Sequence, residues 1–233
     1  MQFTYSKMVA ICSLAVAPSA FADWSATVTG ASDYMFNGVS QTQNNPALQG
    51  SIDYAADNGW YAGSWTSNVD YGDAADRELD FYTGYYQSLN ESTDADFGIA
   101  YYSYYGSSAA SEYNYPEMYG KLIFTHRLGI TETTLWYSWD YFGTGADHVI
   151  GKVAHTFSIA DNHAIQLTVD NSHSLDEDKY QWDTGDSSYV HYKVAYQTQF
   201  HGFDIEIAAE DTTLSYDTAD ARLFASVSRT FSF

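Results

Sequence analysis

One cysteine and three prolines stand among 233 residues, and only 9 Lys and Arg offset 30 Asp and Glu. A single Cys cannot build a disulfide framework or a cysteine-based zinc site. So few cations leave no basic patch for nucleic acid, because phosphate binding needs clustered Lys and Arg. After residue 22 no window of 18 apolar residues occurs, which excludes a membrane-crossing helix. No Gly-x-Ser-x-Gly elbow, glycine-rich phosphate loop or EF-hand register is present. The seven histidines, at 126, 148, 155, 163, 173, 191 and 201, show no metal-ligand spacing. These absences imply no cofactor, no metal site and no catalytic residue.

What the chain does have is aromatic side chains, 18% of the total, with 22 tyrosines, 13 phenylalanines and 6 tryptophans. Acidic disordered chains are poor in such residues, so an ordered and β-rich fold is favoured. Residues 1–22 have the form of an export signal. Lys7 precedes an apolar run from Met8 to Ala17, and Ala20-Phe21-Ala22 supplies a small-x-small cleavage site before Asp23. The run is too short to cross a bilayer. Ile11 stands before Cys12 where a lipoprotein anchor needs a small residue. Cleavage removes Lys7 and the one Cys, and takes the net charge from −21 to −22. An exported chain without cysteine relies on hydrogen bonding and packing alone.

Beyond the signal, apolar residues recur at period two in twelve runs. These span about 24–37, 46–56, 59–70, 77–89, 94–105, 115–127, 131–142, 147–158, 162–172, 188–200, 202–212 and 221–233. Membrane-spanning strands need about 9–11 residues each, against roughly 5–6 for ordinary strands. The connections alternate between long and tight, as in outer-membrane barrels with short periplasmic turns and longer external loops. The expected fold is therefore all-β: an antiparallel transmembrane β-barrel of about twelve strands over residues 23–233, with both termini periplasmic. Tyr34, Phe36, Tyr54, Tyr105, Tyr141 and Tyr189 lie near strand ends, where interfacial girdles form.

Each strand has two unlike faces. One carries Val28, Ile52, Phe81, Ile99, Leu135, Val153, Leu167, Val194 and Val227. In a membrane barrel the polar face points inward, which assigns Asp53, Glu78, Asp80, Asp96, Lys121, Asp140, Lys152, Asp170, Lys193, Asp204, Glu206 and Arg222 to the lumen, with Asp33 joining them. The chain ends in alternating residues that include Phe231 and the terminal Phe233. This resembles the signal by which the barrel assembly machinery recognises its clients.

The N-terminal third has further pattern. Ser32-Asp33-Tyr34-Met35-Phe36-Asn37-Gly38-Val39-Ser40-Gln41-Thr42 is followed by Pro46, Gln49-Gly50, Asp53-Tyr54, Gly59, Tyr61, Gly63, Trp65, Ser67-Asn68-Val69, Glu78, Asp80, Tyr82 and Gly84-Tyr85. Residues 32–85 resemble the TorF family of bacterial outer-membrane porins. The resemblance implies an outer-membrane channel. That family often carries Arg between the Phe and Gly of the first motif. Here the position is Asn37, so any anion binding by that Arg is absent.

The acids outnumber the inward cations, so the expected function is passive diffusion of small solutes through a cation-favouring lumen. Part of the set is expected to brace the interior as ion pairs. The partners are outer-membrane lipid and lipopolysaccharide, with the barrel acting as a monomer. The acidic stretches around Asp70 and Asp176 read as solvated external loops. Asp170-Asn171-Ser172-His173-Ser174 has hydrolase residue types, but neighbours on a strand face opposite sides. Two alternatives stay open: a secreted or periplasmic carbohydrate-binding β-sandwich, and a structural or receptor barrel without an open pore.

Overall fold

The structure, a computed structural model, describes residues 23–72 and 74–233. The expected export signal, residues 1–22, lies outside the described residues. Alternation over nine or more residues produces β1 (Asp23–Ala31), β4 (Ala47–Ala55), β5 (Trp60–Asn68), β6 (Ala75–Asn90), β7 (Thr93–Gly106) and β8 (Tyr115–His126). It continues through β9 (Gly129–Ser138), β10 (His148–Ala160), β11 (His163–Ser174), β12 (Ser188–Phe200), β13 (Phe203–Thr212) and β14 (Arg222–Ser232). These twelve pair antiparallel, each with its sequence neighbours, and β1 closes on β14. A short hairpin, β2 (Met35–Phe36) with β3 (Val39–Ser40), stands apart from the barrel wall. The β-sandwich alternative is thereby replaced: one sheet closed on itself leaves no second sheet to pack against.

Five connections are tight. Between β12 and β13, His201 and Gly202 both adopt positive φ, 51° and 79°, the twist that suits a two-residue hairpin. The opposite end carries the longer segments 32–46, 69–74, 107–114, 139–147, 175–187 and 213–221.

Burial inverts the globular rule. Val28, Ile52, Phe81, Leu135, Val194 and Leu223 point outward and are exposed, whereas Asp80, Asp96, Lys121, Asp170 and Glu206 are buried inside. Left in water, so broad an apolar surface would drive association. Against hydrocarbon it costs nothing, and barrel closure leaves no unpaired edge.

Two runs end well short of what their periodicity predicts. The first stops at Ala31 instead of continuing to 37, because Asp33 takes hydrogen bonds from Ser40 Oγ (2.6 Å) and Thr42 Oγ1 (2.8 Å) and folds the chain back. The seventh stops at Ser138. Asp140, expected to face the lumen from a strand, instead caps a loop by accepting the Gly145 N–H at 2.7 Å. The aromatic belts differ as well. Tyr105 faces outward and is exposed, but Tyr141 and Tyr189 are buried, and Tyr34 and Phe36 lie in the inward segment 32–46.

Candidate functional site in the barrel interior

Segment 32–46 begins at the long-loop end of β1 and turns into the lumen. Its hairpin turn is Asn37-Gly38, with φ of 46° and 80°, the conformation this dipeptide favours. The tip rests on the far wall. The Tyr189 hydroxyl donates to the Asn37 carbonyl at 2.9 Å. A Cβ at Gly38 would stand 2.5 Å from both the His191 ring and the Thr212 methyl, so only glycine fits. On the other side Tyr34 meets Trp65 of β5 at 5.2 Å between ring centroids, and Phe36 meets Tyr102 of β7 at 6.5 Å. The hairpin therefore bridges the lumen from β5 and β7 to β12 and β13. Its base is held by Asp33, which also accepts from Arg222 Nη1 at 3.0 Å.

The two walls that the hairpin separates are chemically different. On β10–β14, acids have cationic partners. Lys193 Nζ donates to Glu206 at 2.6 Å, and Gln197 donates to the second oxygen at 2.9 Å. His191 lies between Asp170 (2.7 Å) and Glu210 (2.9 Å), one on each ring nitrogen. Only an imidazolium donates from both nitrogens, so this is the geometry of a charged His191. Lys152 sits 5.1 Å from the Trp136 ring centre. Asp204, near the tight-turn end, accepts from Gln199 at 2.6 Å.

On β4–β8 the acids rest mainly on tyrosine. Tyr82 donates to Asp53, which also accepts from Ser51 Oγ. Tyr61 donates to Asp96 at 2.6 Å and contacts the Tyr119 hydroxyl. Tyr104 and Tyr102 donate to Glu78 and Glu117, each at 3.1 Å. Lys121, at the border of this wall, approaches Glu132 at 4.0 Å. Among the described residues Glu78 Oε2, Asp80 Oδ1 and Glu117 Oε2 have no hydrogen-bond partner.

At the long-loop end of the barrel, aromatic side chains from separate loops pack together. Tyr141 stacks on His148 at 3.8 Å, and Trp182, from segment 175–187, donates to His148 Nε2 at 3.3 Å. Trp182 also packs against Tyr189 at 4.6 Å. Burial pushes the Tyr141 and Tyr180 hydroxyls well above the usual tyrosine range, so they stay protonated. Ser172 meets His148 across the β10–β11 pair (3.2 Å), rather than its neighbour His173. Among the described residues His148 Nδ1 has no hydrogen-bond partner, where a hydrolytic triad places a carboxylate. Among the described residues no group of three or more His, Cys, Asp or Glu is placed to hold a metal ion.

Of the residues assigned to the lumen from sequence, Asp33, Glu78, Asp80, Asp96, Lys121, Asp170 and Glu206 are buried, and Asp53, Lys152, Lys193, Asp204 and Arg222 are partly buried. Interior groups that escaped that assignment include Glu117, Glu132, His191 and Glu210. The signal for three of them was present. Glu117 lies two residues from Tyr119 and four from Lys121, His191 two from Lys193, and Glu210 four from Glu206, so each shares an inward face. Phe231 and Phe233 are exposed at the tight-turn end, and Arg229 lies over the Phe203 and Phe231 rings.

A closed barrel of twelve strands, polar within and apolar without, has the fold of the outer-membrane porins. Residues 15–231 match the family described as "Bacterial protein of unknown function (Gcw_chp)", and the chain belongs to it. Its fold is similar to the NanC porin, with a TM-score of 0.61 at 11% identity over 88% of this chain and 98% of that one. It is also similar to the KdgM porin in complex with disordered oligogalacturonate, at TM-score 0.58 and 12% identity over 89% and 99% of the two chains. The COG4313 outer membrane channel from Pseudomonas putida F1 follows at TM-score 0.54 and 9% identity, over 97% of this chain and all of that one. No curated protein matches the chain in sequence.

Proposed function

We propose that this chain is an outer-membrane channel for small solutes, cation-favouring, with its constriction at the inward hairpin of segment 32–46. The observation that carries the reading is the hairpin itself. It narrows the lumen against a wall whose Glu78, Asp80 and Glu117 form no ion pair among the described residues. Excess fixed negative charge in a narrow path raises the local concentration of cations and repels anions. The likeness to porins and the TorF resemblance of residues 32–85 support the channel class. The interior acids also set this chain apart from a porin that takes oligogalacturonate, an acidic sugar, because a carboxylate wall repels such a ligand. Asn37 at the hairpin tip adds no positive charge.

The test is the reversal potential of the refolded chain, residues 23–233, in planar bilayers under a salt gradient. Cation preference is expected, and anion selectivity overturns it. A second reading, a barrel without an open pore, is favoured by the aromatic closure around Tyr141 and Trp182. Bilayers that stay silent under every applied voltage decide for it. Export through residues 1–22, assembly through the Phe231–Phe233 end, a monomeric state and contact with lipopolysaccharide belong to the same proposal. Fractionation checks the location: the protein is expected in outer membrane, with heat-modifiable migration in detergent gels.

A further inference from the structure

Cations are scarce in this chain, and Arg77, Lys121, Lys179, Lys193 and Arg222 each stand within ion-pair distance of a carboxylate. Arg229 is placed differently. It is exposed on β14 with the parity of Val227 and Phe231, which face outward, while Ser226 and Ser228 are buried inside. Among the described residues its side chain forms no ion pair and no hydrogen bond. Its guanidinium lies instead over two phenyl rings, 5.1 Å from the centre of Phe203 and 5.2 Å from that of Phe231. The level is that of the β12–β13 turn. Asp204 pairs with Ser228, so Arg229 is one step further on, beside Phe203, and Val28 of β1 is opposite it on the other side. Among the described residues no carboxylate shares this outward patch. Asp204 and Asp53 have inward parity, where Gln199 and Tyr82 donate to them, and the turn itself is His201-Gly202.

The occupant follows from chemistry and place. A guanidinium against hydrocarbon is costly, and the cost falls toward the membrane interface, where phosphate lies. Arg229 sits at that level, near the tight-turn end. Its five N–H donors form a planar fork that matches phosphate oxygens. The phenyl rings hold the fork by cation–π attraction without taking up a donor, which leaves it oriented before a ligand arrives. Val28, Val227 and Phe231 extend the apolar face away from the guanidinium, as acyl chains beside a headgroup require. A free anion has no use for that apolar surround, and a chain of net charge −21 repels it. We infer that Arg229, on its platform of Phe203 and Phe231, binds the phosphate of a phospholipid headgroup in the leaflet at the tight-turn end. The inference rests on the outer-membrane reading and names a lipid group that such a membrane supplies.

The experiment measures the unfolding midpoint of the refolded chain, residues 23–233, in uncharged detergent micelles. The probes are phosphatidylglycerol, a diacylglycerol with the same acyl chains, and inorganic phosphate. A ligand that binds only the folded state raises the midpoint saturably. Phosphatidylglycerol is expected to do so, against the repulsion between an anionic lipid and an acidic chain. Diacylglycerol lacks the phosphate and inorganic phosphate lacks the acyl chains, and neither is expected to give the saturable rise. Arg229→Gln is expected to abolish the rise. Arg229→Lys keeps the charge without the fork, and Phe203→Leu keeps an apolar residue without the ring. Each is expected to raise the half-saturating concentration several-fold. Arg77→Gln removes an exposed arginine at the long-loop end and is expected to change nothing. Should Arg229→Gln fail to refold, the Lys and Leu variants decide. An equal rise with diacylglycerol overturns the site, as does an equal rise with inorganic phosphate. So does a half-saturating concentration unmoved by the Arg229 and Phe203 variants, or moved as far by Arg77→Gln. Fractionation separates this failure from that of the outer-membrane reading. Recovery in the soluble fraction removes the membrane reading and the site together. Recovery in outer membrane, with a lipid response indifferent to Arg229, removes the site alone.

Discussion

The two walls of the lumen solve the same problem differently. Both bury carboxylates in an interior that cannot hydrate them fully. On β10–β14 the solution is pairing: Glu206 with Lys193 and Gln197, and His191 between Asp170 and Glu210. On β4–β8 it is tyrosine, whose hydroxyl donates a hydrogen bond but no charge. Pairing consumes charge and stiffens the barrel. Tyrosine support satisfies an oxygen without an ion pair.

Breaking a pair should therefore hurt the paired wall more than removing a charge hurts the other. Lys193→Met leaves fully buried Glu206 with only Gln197, and is expected to cost about 3 kcal/mol in urea unfolding. Asp33→Ala removes the acceptor for Ser40, Thr42 and Arg222, and should cost about 2 kcal/mol. It should also raise single-channel conductance as the hairpin loses its base. Gly38→Ala meets a positive φ and the His191 ring, and should cost about 1–2 kcal/mol, with a smaller conductance change. Glu78→Gln, on the tyrosine wall, should stay within about 1 kcal/mol of wild type, because it deletes a charge that nothing pairs, yet it should lower the cation preference. Equal costs for Lys193→Met and Glu78→Gln would erase the distinction between the walls.

The smallest effect lies outside both walls. Hydrogen bonds from the Ser215 hydroxyl and the Thr184 N–H hold the exposed Asp183 carboxyl below its usual range. A depressed carboxylate contributes stability above its unfolded value, near 3.9, which is lost as pH falls through the folded value. Segment 175–187 should therefore loosen only in strongly acidic solution, read as faster amide exchange there, and Asp183→Asn should remove that pH dependence.

Strand number and the facing of nearly every strand were legible because two solvents act on one sheet. Lipid on one side and a polar lumen on the other force alternation over the whole strand, as in Leu135 against Thr134. The hairpin was not legible by the same rule. Tyr34 and Phe36 keep the strand period, so alternation carried the first strand past its end. The Asn37-Gly38 dipeptide was the contrary signal, and Asp33 supplied the side-chain bonds that made the reversal stable. Asp140 was lost likewise, since parity continued after the backbone had turned to bury Tyr141. The closure by Tyr141, Trp182 and His148 has no period at all. It joins loops distant in sequence through ring packing, which no local pattern encodes.

The contact between Asp33 and Arg222 joins residues 189 positions apart, across the seam where the first strand meets the last. Ser32 reinforces it, donating its N–H to the Ala225 carbonyl at 2.8 Å and accepting the Ala225 N–H on its hydroxyl at 3.0 Å. None of these bonds exists until the last strand has been made and paired. Loop closure over so long a stretch is among the late steps of folding. The base of the inward hairpin is thus tied to the seam, while its tip rests on β12 and β13. Closing the barrel and fixing the base of the hairpin are the same event.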